Sequence, residues 1–475
     1  MNDFPNMPIR VPVRSTRSAL LAAAVSGLAL CAQTVGAAPA AAPPLDEQVR
    51  RIIDSPAASK APGCVVGLFQ DGKAVTQVAA GHADVANGKP LSADTQFYAA
   101  SLSKQFTALA AIRLAEQGRL DLDADIRRYI PEFPDYGTIV TARMLMHHSA
   151  GLRDWLHLAR FSGTSAASLD KKAALDLVLR QSAPNYEPGT RYLYSNSGYL
   201  VLAEIVERVS GEPFPRHLER TLLRPLGMTN SFFMDGKRPV SPLLAHGYVG
   251  RAGKYQFRNN YPTISGSGGL ITSLADLAKF EAAMVGDGAI ISSSARKLRL
   301  QPGVLTGGVP ATDPAKGLAY AGGVTVGRPD GRLMVRHGGS ADGFTGLYVR
   351  YPEERRATIL LCNQGGLDLD AKARAIDAAL GDAAPAAHVL ANGEQRTYYL
   401  PEVARYYRVE AGEGEIQVGN SATADQFDGS PQRYALSDDG DYRAGQYSVR
   451  FLDEGRTLVL SSGRASGVRG SEVGR

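Results

Sequence analysis

A serine three residues ahead of a lysine is among the simplest pairs able to do covalent chemistry. On a helix, positions i and i+3 share a face. The amine can then take the hydroxyl proton and leave a nucleophilic oxygen. This chain carries the pair three times, at Ser101/Lys104, Ser168/Lys171 and Ser294/Lys297, so the spacing alone selects none of them. The surroundings do. Ser101 leads into the run Lys104 to Gln117, stopped by Gly118. That run is apolar nearly all round (Phe106, Ala108, Leu109, Ala111, Ile112, Leu114), which predicts a buried central helix. Ser101 and Lys104 would share its first turn, where a desolvated lysine tends to the neutral form. The helix N-terminus would also aim backbone N–H groups at developing negative charge. Lys171 is instead followed by Lys172 on an amphipathic stretch, and Ser294 and Lys297 sit among Arg296 and Arg299. Both read as solvated faces.

Two further groups complete a site. Tyr194-Ser195-Asn196 stands just before a predicted helix from Ser197. A phenol normally loses its proton near pH ~10. One or two cationic neighbours would lower that and make Tyr194 a second candidate base. The amide of Asn196 can orient Lys104 and bind a substrate carbonyl. His337-Gly338-Gly339-Ser340 ends a strand-like run. Its two glycines let a substrate backbone lie against a strand edge, and the N–H of Ser340 can join that of Ser101 in an oxyanion hole. Read singly, the first motif is a helix cap beside an aromatic and the second a glycine-rich turn with a surface histidine.

The elements that must hold these residues follow from periodicity. Val65 to Phe69 and Ala74 to Val78 flank Asp71-Gly72, a hairpin signal. Helices are expected near 170–181, 197–210, 214–223, 274–286 and 370–380. Strands are expected at Leu333 to Arg336, Leu347 to Tyr351 and Ala357 to Cys362. Strands at both ends with helices between predict an α/β fold: an antiparallel sheet flanked by helices, with an all-helical insert. After Gly381 the texture changes. Lys372 is the last lysine, and alternating runs begin at Arg405, Glu415, Arg433, Tyr447 and Thr457. They predict a small C-terminal antiparallel β-barrel or half-barrel domain. The expected division is a leader at 1–37, a spacer and first helix at 38–59, a hydrolase block at 60–381 and a β domain at 382–475, with the boundary near 382–395.

Composition narrows the classes. A chain of 475 residues with 44% apolar and 21% charged residues is ordinary for a globular protein of about three domain-sized blocks. A net charge of +5 without a basic run gives no nucleic-acid surface. Arg10, Arg14 and Arg17 precede the twelve-residue, mostly apolar run Ala19 to Leu30, and Val35-Gly36-Ala37 is an acceptable cleavage signal. This reads as a secretory leader rather than a membrane span, and Leu28-Ala29-Leu30 before Cys31 is a poor lipobox. Loss of the leader removes three Arg and one Asp and leaves +3. The mature protein is expected to be exported, periplasmic or secreted, without a stable membrane span. Two cysteines then remain, Cys64 and Cys362. No zinc spacing is present, and no cofactor is expected.

Ser101-Leu102-Ser103-Lys104, Tyr194-Ser195-Asn196 and His337-Gly338-Gly339, in this order, resemble the three signatures of the serine hydrolases related to class C β-lactamases. That family includes D-aminopeptidases, DD-peptidases and lactamase-like esterases. Met144 to Leu152, Glu187-Pro188-Gly189 and Gly268-Gly269-Leu270 match as well, and the resemblance covers about 60–381. It implies that Ser101 is acylated and that Lys104 and Tyr194 share proton transfer, the resting base being open. It further implies that Asn196 positions Lys104 and substrate, that the N–H groups of Ser101 and Ser340 hold the oxyanion, and that Tyr194 activates the deacylating water. The fold would set Cys64 near Cys362, bridged or as two packed thiols. One departure matters. The β-lactamase pattern opens its third motif with lysine, and here His337 stands there. A neutral imidazole binds a carboxylate less well, so small ester, amide or D-amino-acid peptide substrates are expected over β-lactams. Cell-wall peptides fall within that class. A β-lactamase or penicillin-binding DD-peptidase is the alternative within the family, and a non-catalytic binder of cell-wall peptides the alternative outside it. No Gly-x-Ser-x-Gly elbow surrounds Ser101, which excludes the α/β-hydrolase arrangement. His147 and His148 read as loop-packing residues, and Trp155 and Leu156 as lining the cleft mouth.

Overall fold

In the computed structural model, residues 43–54, 60–235, 241–251, 254–258, 261–286, 288, 290–380, 389–427, 430–436, 441–444, 447–452, 455–462 and 465–473 are described. The leader and the Ala/Pro-rich Asp382 to Ala387 lie outside them. Among the described residues, no helix is long and apolar enough to cross a membrane.

Asp71 and Gly72 both take positive φ (54° and 73°), the conformation a two-residue hairpin turn requires. They join strands Cys64–Gln70 and Lys73–Ala80. The first of these pairs on its other side with Arg356–Cys362, bringing chain segments almost 300 residues apart side by side. The sheet has eight strands, all antiparallel: Thr312–Asp313, Leu318–Tyr320, Thr325–Gly327, Met334–Ala341, Phe344–Tyr351, Arg356–Cys362, Cys64–Gln70 and Lys73–Ala80.

The central strands are buried on both faces, so they read as unbroken apolar runs. Val66, Leu68, Leu360 and Cys362 pack with Val49, Ile53 and Ile376 of the helices Leu45–Ile53 and Leu369–Ala379. Their alternating neighbours Val65, Ile359 and Leu361 face the larger core with the helical insert. The helix Ser103–Glu116 runs through that core with Phe106, Leu109 and Ile112 fully buried. It begins one residue earlier than expected, and Ser101 lies in the preceding 3₁₀ turn Ala100–Leu102 rather than in the helix. Ala100 has φ 47°, so the chain turns sharply just before Ser101, and Leu102 already carries helical backbone angles. The helix Asn196–Ser210 packs beside it and ends at Gly211, with φ 75°.

Eight strands, from Gln395–Leu400 to Ala465–Glu472, form a closed barrel. Closure comes from Tyr398 opposite Glu472 and Tyr399 opposite Ser471. Tyr398, Val409, Ile416, Val449, Phe451 and Leu458 fill it.

Candidate active site

Three segments meet at one cleft of about 560 Å³, lined among others by Ser101, Tyr194, His337, Gly338, Gly339 and Ser340. Lys104 is fully buried beneath it. Its Nζ lies 3.1 Å from Ser101 Oγ, 2.9 Å from Asn196 Oδ1 and 2.7 Å from the carbonyl of Ser267. The last two can only accept hydrogen bonds. In the neutral amine they would take its two N–H groups and leave its lone pair for the Ser101 hydroxyl. Burial drives the same state, lowering the Lys104 amine to about 7 against the opposing pull of the Asp154 charge.

Tyr194 lines the same cleft as Ser101, and its ring lies 4.8 Å from Lys104 Nζ. The expectation of a phenol made acidic by cations is corrected here. Burial pushes Tyr194 up, and the charges of Asp154 and Asp313 add to the rise, more than offsetting the opposing influence of the neighbouring Ser101 hydroxyl.

His337 is buried rather than at the surface. The Tyr320 hydroxyl lies 2.9 Å from its Nε2 and the Gly338 carbonyl 2.6 Å from its Nδ1. Burial, and then the charge on Lys104, hold it well below the usual imidazole range. The strand Met334–Ala341 pairs with Thr325–Gly327 only as far as Arg336. The Arg336 carbonyl faces that neighbour, accepting from Thr325 Oγ1 at 3.2 Å. By strand alternation, the backbone polar groups of Gly338 and Ser340 turn the same way, onto the unpaired edge. A β-carbon at Gly339 would come within 2.4 Å of the Ala99 carbonyl, so only glycine lets this edge lie against the Ser101 turn.

The structure thus brings together Ser101, Lys104, Tyr194, Asn196 and the 337–340 segment. The other two Ser/Lys pairs lie elsewhere. Lys171 pairs with Glu204 and Glu207, and the Ser294 hydroxyl bonds to Glu116. One expectation there is overturned: Arg299 is fully buried, with its guanidinium on Gln105 behind the serine helix. Trp155 is likewise a core residue, 1% exposed, and not at the cleft mouth.

Sequence reasoning missed three groups. Asp154 accepts the backbone N–H of Asn196 at 2.5 Å and its side-chain Nδ2 at 3.0 Å. An acidic residue just ahead of an apolar helix start was its signal. Tyr320 had none. Ser267 contributes only a carbonyl, brought close because Gly266 (φ 118°) fits where a β-carbon would strike the Tyr199 carbonyl and the Ala203 side chain. His148, at φ 58°, accepts the Ser195 N–H and packs its ring 4.2 Å from Tyr194 and 4.3 Å from Tyr320.

The β-lactamase family model matches residues 49–383, more than two thirds of the chain. The chain belongs to the β-lactamase family of serine hydrolases. Among its family relatives is a D-aminopeptidase of Cereibacter sphaeroides, 27% identical over 420 residues that cover 88% of this chain and 77% of that one. Penicillin-binding protein 4* of Bacillus subtilis is 29% identical over 301 residues, covering 60% and 64%. The fold is shared with an octameric penicillin-binding protein homologue from Pyrococcus abyssi, at TM-score 0.61 and 21% identity, over 89% of this chain and 97% of that one.

Proposed function

We propose that this family member cleaves small ester or amide bonds, D-amino-acid peptide bonds among them, through an acyl-Ser101 intermediate. The observation that carries the reading is the buried Lys104 amine, 3.1 Å from Ser101 Oγ and held there by Asn196 Oδ1 and the Ser267 carbonyl. Lys104 takes the hydroxyl proton as Oγ bonds to the substrate carbonyl carbon. The N–H groups of Ser101 and Ser340 receive the oxyanion. Tyr194, a phenol kept protonated by burial, hands its proton to the leaving nitrogen or oxygen and recovers one from Lys104. Water then adds to the acyl carbon, giving its proton to the same pair, and the acid departs as Oγ is reprotonated.

The cleft favours substrates without a carboxylate. His337 is held neutral, and the cations in the wall are engaged, Lys316 with Asp313 and Arg336 with Asp370. The D-aminopeptidase relative supports the same class. Side-by-side kinetics on a p-nitrophenyl ester, a D-alanyl anilide and a chromogenic cephalosporin test this. The first two should be hydrolysed efficiently and the third poorly; efficient cephalosporin turnover overturns the preference and favours the β-lactamase reading. Export belongs to the same proposal. The buried Cys64–Cys362 disulfide supports an oxidising compartment, and N-terminal sequencing of protein from the periplasm or medium is the check.

A further inference from the structure

We propose that Asp154 is a positioning residue of this reaction, fixing the Asn196 amide so that its carbonyl oxygen faces the Lys104 amine. The inference rests on Lys104 as base and adds what keeps it usable. Asp154 precedes the helix Trp155–Phe161 and caps it, Oδ1 accepting the Leu156 N–H at 3.0 Å. Oδ2 turns the other way and accepts from Asn196 twice, from its backbone N–H at 2.5 Å and from its side-chain Nδ2 at 3.0 Å. One carboxylate therefore holds the starts of two helices. Ser197 Oγ ties the same junction, donating to the Arg153 carbonyl at 2.6 Å and accepting from the Trp155 N–H at 2.8 Å.

The consequence lies in the amide. A carboxylate has no proton to give, so it accepts only the NH₂ end of Asn196. The carbonyl end is then forced toward Lys104, where it stands 2.9 Å from Nζ. Turned over, the amide would set N–H against N–H, and the amine would swing its lone pair from Ser101 to Asn196. Asp154 is not among the residues lining the cleft, so it acts through Asn196 rather than on substrate. It is also the charge that faces Lys104. The other groups around the amine are the Tyr194 and Tyr199 rings, at 4.8 and 5.5 Å, and the imidazoles of His148 and His337, both kept neutral by burial.

The test is the pH dependence of kcat and KM for Asp154→Asn on a p-nitrophenyl ester, with melting temperatures alongside. We expect kcat to fall about tenfold or more, KM to stay within about twofold, and the acid limb to move to lower pH because a negative charge near the amine is gone. A folded Asp154→Asn with wild-type kcat and an unmoved acid limb overturns the proposal. Should that variant fail to fold, Asp154→Ser, which keeps a capping oxygen, is measured in the same way. Ser101→Ala runs in parallel. If Ser101→Ala still turns over substrate, the acyl-serine reading itself fails; if it is inactive while Asp154→Asn behaves as wild type, only the role of Asp154 fails.

Discussion

The hydroxyl of Tyr320 donates to Nε2 of His337 across 2.9 Å. Nδ1 of the same ring lies 2.6 Å from the Gly338 carbonyl, which can only accept. Both nitrogens are therefore committed, one as acceptor and one as donor, in the tautomer of a neutral ring. The third motif therefore opens with an uncharged group rather than a fixed cation. Replacing it should change specificity more than catalysis. His337→Lys is expected to raise kcat/KM on a carboxylate-bearing cephalosporin by about tenfold, the scale of one charged hydrogen bond, while leaving p-nitrophenyl ester turnover lower or unchanged. Paired kinetics on the two substrates check it.

The Lys104 amine should set the acid limb of activity. Burial lowers it to about 7, and the neutral form is the one that accepts a proton. Activity should therefore rise with pH through about 7 and be lost below it, the protonated amine having no lone pair for Ser101. A kcat/KM profile on a neutral ester measures this. A limb set by an ordinary lysine would lie some three units higher.

Tyr194 should not titrate in the working range. Burial raises its phenol, so no basic limb from this group is expected below about pH 10. Tyr194→Phe should cost about 10²–10⁴-fold in kcat, the usual weight of a positioned proton donor, with the acid limb left where Lys104 places it. A pH profile of the variant separates the two groups.

Cys64 and Cys362 stand directly opposite each other on adjacent strands and are bonded. They clamp the first strand of the sheet to the last strand before the helix Leu369–Ala379. The chain has three cysteines in all. Thiol titration of the denatured, unreduced mature protein, which loses Cys31 with the leader, should find no free thiol, and two after reduction. Replacing both bonded cysteines by alanine should lower stability by about 2–5 kcal/mol, read from denaturant unfolding.

Periodicity and turn chemistry made most of the fold legible. The Asp71-Gly72 turn, the largely apolar serine helix and the sheet strands from Met334 to Cys362 needed only local pattern. The barrel was half visible. Glu415 to Val418 and Tyr447 to Phe451 alternate in hydrophobicity, but Tyr442–Ala444 is three residues long, and Ala465–Glu472 carries a single branched apolar residue. Closure through Tyr398 and Glu472 is a long-range pairing that no window contains. In the site, the residues that touch the reacting atoms were marked by type and spacing. Those that set their state were not. The Ser267 carbonyl is a backbone group, and Tyr320 reaches His337 from a three-residue strand. Tyr194 was expected to be acidic because a sequence shows neighbouring charges but not burial, and burial decides its direction.

The central claim is that the Ser101 oxygen becomes covalently bonded to substrate. Intact-mass measurement after treatment with a fluorophosphonate probe tests it most directly. The protein should gain the mass of one adduct, and Ser101→Ala should gain none. An adduct that persists on Ser101→Ala, or an unmodified wild-type protein that still hydrolyses the p-nitrophenyl ester, would contradict the account.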